Sequence, residues 1–185
     1  HKTPRRQRQM CIRDRNDILD YYVEVEHFDK MVARAIRSLE KLGQLDNTIV
    51  VVTSDHGMPF PRAKASLYDA GTHVPLAIRW PKGIRKPGRV SHALLNLSDL
   101  APTFLDAAGI SIPKMMIGKA LTDILKDKTT VKREAAFIGM ERHAGCREGG
   151  KGYPCRAIRT KEYLYIRNFD ADRWPAGSPE RKHCV

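Results

Sequence analysis

The run Thr48-Ile-Val-Val-Val-Thr53 constrains this chain most. Every residue in it is β-branched, stiff at χ1 and suited to a pleated strand. The run is continuously rather than alternately apolar, which predicts a strand buried on both faces, as in the parallel sheets of α/β proteins. Ser54-Asp-His-Gly57 follows at once. Ligands of open α/β sheets collect at the carboxyl ends of the strands. Asp55 and His56 are therefore expected at such an edge, with Gly57 permitting a tight turn. A carboxylate beside an imidazole is half of a metal site, and two ligands alone do not close one. The competing reading of the same residues is a capped loop turn. Lys64, further along the loop, adds a cation with three donors suited to a tetrahedral anion, against the plainer reading of a solvated loop lysine.

Around this segment the chain reads as alternating helix and strand. Apolar residues from Ile18 to Leu42 fall at helical spacing, with acids early and Lys/Arg late, and Gly43 is placed to cap the helix. Val74–Trp80 reads as a second strand. Ser98–Ala108 reads as a helix capped by Ser98, with Asp99 in its first turn and Gly109 at its end. Thr122–Lys128 predicts a helical turn or two. Beyond Glu134, Ala135–Met140, Cys155–Thr160 and Tyr163–Asn168 read as short strands, the last two joined by a Lys161-Glu162 turn. The expected division is an arm over residues 1–15, an α/β part over 16–133 and a small antiparallel part over 134–185.

Composition narrows the function classes. The 185 residues are 42% hydrophobic and 29% charged, the balance of a globular chain able to bury a core. No run of about 18 apolar residues is present to span a membrane. Lys and Arg number 33 against 21 Asp and Glu, a formal charge of +12, with six of the bases in residues 1–15. A basic arm ordinarily points to nucleic acid. This arm lacks interleaved stacking aromatics, and its run Arg8-Gln-Met-Cys-Ile-Arg-Asp-Arg15 resembles a translated sequencing linker, so it is set aside from the fold. The four cysteines form no Cys-x-x-Cys pair; Cys146 and Cys155 flank a Gly-rich loop, and a bridge or two thiols fit that spacing equally.

Three stretches together carry a family resemblance: Leu45-Asp-Asn-Thr-Ile-Val-Val-Val-Thr-Ser-Asp-His-Gly57, Met58-Pro-Phe-Pro-Arg-Ala-Lys-Ala-Ser-Leu-Tyr-Asp-Ala-Gly-Thr-His-Val-Pro75 and Leu97-Ser-Asp-Leu-Ala-Pro-Thr103. They resemble the C-terminal half of the type I sulfatases, within the alkaline-phosphatase-like superfamily. The Pro-Phe-Pro segment and the tail Tyr153-Pro-Cys-Arg-Ala-Ile-Arg-Thr160, Tyr165–Phe169 and Asp172-Arg-Trp-Pro175 are similar to the heparan N-sulfatase (sulfamidase) branch. The resemblance implies the C-terminal part of an α/β/α sandwich followed by a small antiparallel subdomain. It implies that Asp55 and His56 ligate a divalent metal, expected to be Ca2+, and that Lys64 contacts the sulfate and the ester oxygen. His143 and Arg147, in Glu141-Arg-His-Ala-Gly-Cys-Arg147, match a loop lining the sugar pocket. His73 stands where the family often has Arg and takes no role.

Type I sulfatases also need a Cys or Ser in a C/S-x-P-x-R motif, converted to formylglycine, and a further pair of aspartates. No such motif occurs in the 185 residues. The expectation is thus a piece of an exported hydrolase of sulfated glycosaminoglycan sugars, N-sulfoglucosamine-like, holding half of an active centre and inactive alone. Its partner is a sulfated sugar, not nucleic acid or membrane. The competing readings are a phosphatase or phosphodiesterase of the same superfamily, and a non-catalytic anion-binding piece.

Overall fold

The computed structural model describes residues 5–60, 62–128, 133–143 and 147–173, with side chains from Arg15 onward. The chain forms two compact units, His1–Thr48 and Ile49–Val185.

The first unit is built on one long helix, α1 (Arg5–Lys41). The helical spacing from Ile18 onward is borne out, but the helix reaches back to Arg5. Its first turn therefore carries no acid, and the expected match of acids to the positive end of the dipole is lost, while Lys41 occupies the last turn. Gly43, at φ 64°, ends it as expected. Its N–H reaches Glu40 O at 2.9 Å and the Gln44 N–H reaches Leu39 O at 2.9 Å, the paired bonds of a Schellman cap.

In the second unit β1 (Val50–Thr53) pairs with β2 (Leu76–Arg79), Val50 opposite Arg79 and Thr53 opposite Leu76. The pairing is antiparallel, and β1 is half-buried along its length. Both points correct the expectation of a strand buried on two faces in a parallel sheet. A parallel return needs a crossover that carries the chain back along the sheet. Here the described residues of the intervening segment hold one helical turn, α2 (Asp69–Thr72), and Thr53 Oγ1 donates to Pro75 O at 2.7 Å. The loop leaves and re-enters at the same end of the strand pair.

Helix α3 (Leu100–Ala107) is entered through a 3-10 turn at Leu97–Asp99. The cap lies two residues earlier than expected, at Asn96 rather than Ser98, and Asp99 reaches back to the Asn96 N–H at 2.8 Å. Asp99 is only 1% exposed. Its carboxylate also accepts the Lys119 N–H at 2.9 Å and a two-pronged contact from Arg133, at 2.5 and 2.9 Å. Thr103 Oγ1 donates to Asp99 O and accepts the Leu121 N–H at 2.8 Å, which seats α4 (Thr122–Leu125). Gly109, at φ 72°, closes α3 as its position in the sequence predicts.

Strands β3 (Ala136–Met140), β4 (Cys155–Arg159) and β5 (Leu164–Asn168) form an antiparallel meander in that order, as expected. Its inner face packs Tyr153, Cys155 and Ala157, with Ile138, Met140, Leu164 and Ile166, against Leu67 of the β1–β2 loop. The three-stranded sheet is thus the platform on which that loop rests. Arg159 adds a polar tie, its guanidinium meeting both carboxylate oxygens of Asp69 at 3.0 and 3.3 Å.

Burial by itself raises the Asp99 pKa, but the Arg133 hydrogen bonds, the Asn96 and Lys119 N–H groups and the Arg133 charge outweigh it and hold the pKa below the usual 3.8. A carboxylate with a depressed folded pKa stabilises above its unfolded value, and that contribution is lost as pH falls through the folded value. Unfolding followed against pH is therefore expected to show a stability loss below about pH 4 that Asp99→Asn lacks. At neutral pH Asp99→Ala, which strands Arg133, is expected to cost about 3 kcal/mol in denaturant titration.

Candidate active-site loop

Asp55 and His56 leave the end of β1 in a turn closed by Ser54, whose hydroxyl donates to His56 O at 2.7 Å. The His56 ring is fixed by its Nδ1, which donates to Gly57 O at 2.8 Å. A carbonyl only accepts, so this contact puts the proton of the neutral ring on Nδ1 and leaves a lone pair on Nε2. Nε2 stands 3.4 Å from Asp55 Oδ2. The two electron-rich atoms face each other across a gap that a cation can bridge. The Asp55 side chain is 84% exposed and that of His56 40%, so the pair is open to such a cation. A carboxylate and a lone-pair imidazole nitrogen suit a divalent metal, yet the set is partial. No group of three or more His, Cys, Asp or Glu is gathered among the described residues.

Gly57 serves a purpose other than the expected tight turn. Its φ is not in the left-handed region, and a methyl group there would lie 1.8 Å from Ala70 O. Close approach of two backbones, sealed by Gly57 N–H to Gly71 O at 3.1 Å, is what excludes a side chain. Lys64 lies on the same loop with its N–H bonded to Met58 O at 3.0 Å. It is exposed and forms no ion pair among the described residues. Arg62 and Ala65, on either side, take φ of 63° and 59°.

The other sequence candidates lie in the connection between β3 and β4. Arg147 is half-buried, its guanidinium 4.8 Å above the ring of Tyr153, and Tyr153 shares a buried cluster with Leu67. His143 is half-buried just beyond β3. The structure thus brings Asp55 and His56 into contact, puts Lys64 on their loop, and ties Arg147 to that loop through Tyr153 and Leu67. Asp69 and Arg159 brace the loop and escape the sequence reading, because partners 90 residues apart leave no local pattern. His73 is exposed, its N–H bonded to Asp69 O at 2.8 Å. Cys155 is a buried free thiol bonded to Asn168 Oδ1 at 3.1 Å, and burial raises its pKa. Cys146, the other half of the bridge left open above, lies outside the described residues, as do Trp174 and Cys184.

Comparison with known proteins gives this α/β chain an alkaline-phosphatase-like fold and a family. A family model described as Sulfatase matches residues 1–110, and one described as N-sulphoglucosamine sulphohydrolase, C-terminal, matches residues 56–176. The chain belongs to the sulfatase family. It is 36% identical over 163 residues to an N-acetylglucosamine-6-O-sulfatase of Bacteroides thetaiotaomicron, covering 84% of this chain and 28% of that protein. It is 31% identical over 162 residues to the human N-sulphoglucosamine sulphohydrolase, covering 84% of this chain and 32% of that one. A solved structure, described as in complex with its substrate D-glucosamine-2-N,6-O-disulfate, aligns with a TM-score of 0.61 at 30% identity, over 76% of this chain and 31% of that one. The chain thus spans about a third of the length of the relatives it matches.

The contact at Gly57 is testable without any substrate. Gly57→Ala is expected to lower stability by about 3 kcal/mol, because neither carbonyl nor backbone can yield cheaply. Calorimetric unfolding would measure it, and a change below about 0.5 kcal/mol would contradict the close approach.

Proposed function

We propose that this chain supplies the metal-binding and anion-binding loop of a hydrolase acting on sulfated glycosaminoglycan sugars of the N-sulfoglucosamine kind. The observation that carries the reading is the Asp55–His56 pair, facing atom to atom at the end of β1 on a sulfatase fold, with Lys64 on the same loop. The relatives' names support the substrate class: two act on sulfated glucosamines by name, and a third is described with one bound.

Asp55 and His56 would hold the divalent metal, expected to be Ca2+, with further ligands supplied from elsewhere. When bound, it neutralises the sulfate oxygens as a Lewis acid. His56 contributes orientation as well as a lone pair, because the Gly57 carbonyl locks its ring. Lys64 donates to the sulfate and offsets negative charge developing on the bridging atom, work for a fixed cation aimed at the transition state. Arg147, held over Tyr153, offers a planar fork to a second anionic group on the sugar, and His143 lines the same pocket. None of these side chains is the nucleophile, because the 185 residues contain no C/S-x-P-x-R segment in which formylglycine forms.

The same proposal keeps the α/β part at 16–133 distinct from the antiparallel part at 134–185. It also has the intact protein exported, since sulfated glycan polymers are extracellular. No helix among the described residues is long and apolar enough to cross a membrane.

The test is turnover of a sulfated glucosamine by the intact enzyme that carries this segment. Asp55→Ala is expected to abolish metal-dependent hydrolysis, and Lys64→Ala to lower kcat about 10²–10³-fold. Undiminished activity in either variant would overturn the assignment.

A further inference from the structure

The two arms of the candidate site rest on one residue that belongs to neither. Gly71 is buried, and its carbonyl accepts the Gly57 N–H at 3.1 Å on the His56 side. On the other side, a methyl group at Gly71 would lie 2.2 Å from Ala63 O, 2.7 Å from Ser66 O and 3.0 Å from Ser66 Oγ. The turn carrying Lys64 and the His56-Gly57 turn thus both abut the backbone at Gly71.

Within that seated turn the backbone is in an unfavourable state. Arg62 and Ala65, at φ 63° and 59°, occupy the left-handed region that residues with a Cβ avoid. Such geometry persists only where the surroundings over-determine it. Ser66 supplies the determination. Its Oγ lies 2.8 Å from Ala63 O and 3.0 Å from Arg62 O, so its single proton is shared between two consecutive carbonyls that follow the left-handed Arg62. Its own N–H bonds Ala63 O at 3.2 Å, and the Tyr68 N–H reaches its Oγ at 3.4 Å.

The geometry points to Ser66 as a positioning residue: its hydroxyl closes the left-handed turn against Gly71 and so fixes where the Lys64 ammonium stands relative to Asp55 and His56. The inference rests on the reading of Lys64 as the sulfate-contacting cation. Ser66 acts through Lys64.

A double-mutant cycle in the intact enzyme separates this role from a merely structural one. Ser66→Ala is expected to lower kcat about tenfold to a hundredfold with little change in KM, because the loss is one of alignment. Ser66→Thr, which keeps the hydroxyl, is expected to restore most of it. In a Lys64→Ala background, Ser66→Ala is expected to cost nothing further. An equal loss in both backgrounds overturns the positioning role while leaving the functional reading intact. An inert Lys64→Ala overturns both, and so is told apart from the first failure. Where Ser66→Ala does not yield folded enzyme, Ser66→Cys, a similar volume with a weak donor, runs the same cycle.

Discussion

The close approach of two backbones at Gly57 and Gly71 is the constraint on which the candidate site depends. A Cβ at either position would enter the space of a neighbouring carbonyl oxygen. With both absent, the long excursion between β1 and β2 folds back on itself, and two consecutive turns share one support. One turn holds Asp55 and His56 and the other holds Lys64. The proposed cation site and the proposed anion-binding ammonium would be useful to each other only at fixed separation, and backbone contact fixes separation better than a contact between flexible side chains.

The rest of the second unit braces this arrangement from two directions. Leu67, three residues beyond Lys64, is buried among Tyr153, Cys155 and Ala157 of the antiparallel sheet, and the Asp69–Arg159 pair ties α2 to β4 beside it. The Asp99 hub, with Arg133, Thr103 and two backbone N–H groups, organises α3 and α4 and leaves no buried side-chain polar atom unpaired among the described residues. Its fully buried carboxylate is affordable only because every lone pair direction meets a donor. Charge elsewhere is local rather than collective: Asp127 is ringed by Lys86, Arg89 and Arg85, which hold its pKa down.

Much of this was legible in the amino-acid order, and what was not follows a pattern. The β-branched run announced β1, and the residues after it announced the site, because both signals are local. Strand direction was not local: it depends on how residues 54–75 return, and the hydrophobic pattern of Val50–Thr53 is the same for either pairing. A glycine required by a neighbour's carbonyl, as Gly57 is, looks the same in sequence as one required by φ. Asp99 read as a first-turn acid, yet its partner Arg133 lies 34 residues away. The three strands of the meander were found almost to the residue, because alternating burial and a two-residue turn are both written in the chain.

The central claim is that the Asp55–His56 pair and Lys64 form two halves of one sulfate-processing site. A crystal structure of the intact enzyme with metal and an N-sulfated glucosamine tests it most directly. The account predicts a metal ion within about 2.0–2.6 Å of both Asp55 Oδ and His56 Nε2. It also predicts Lys64 Nζ within about 2.7–3.2 Å of a sulfate oxygen. A metal bound without Asp55 and His56, or a sulfate seated away from Lys64, would contradict it.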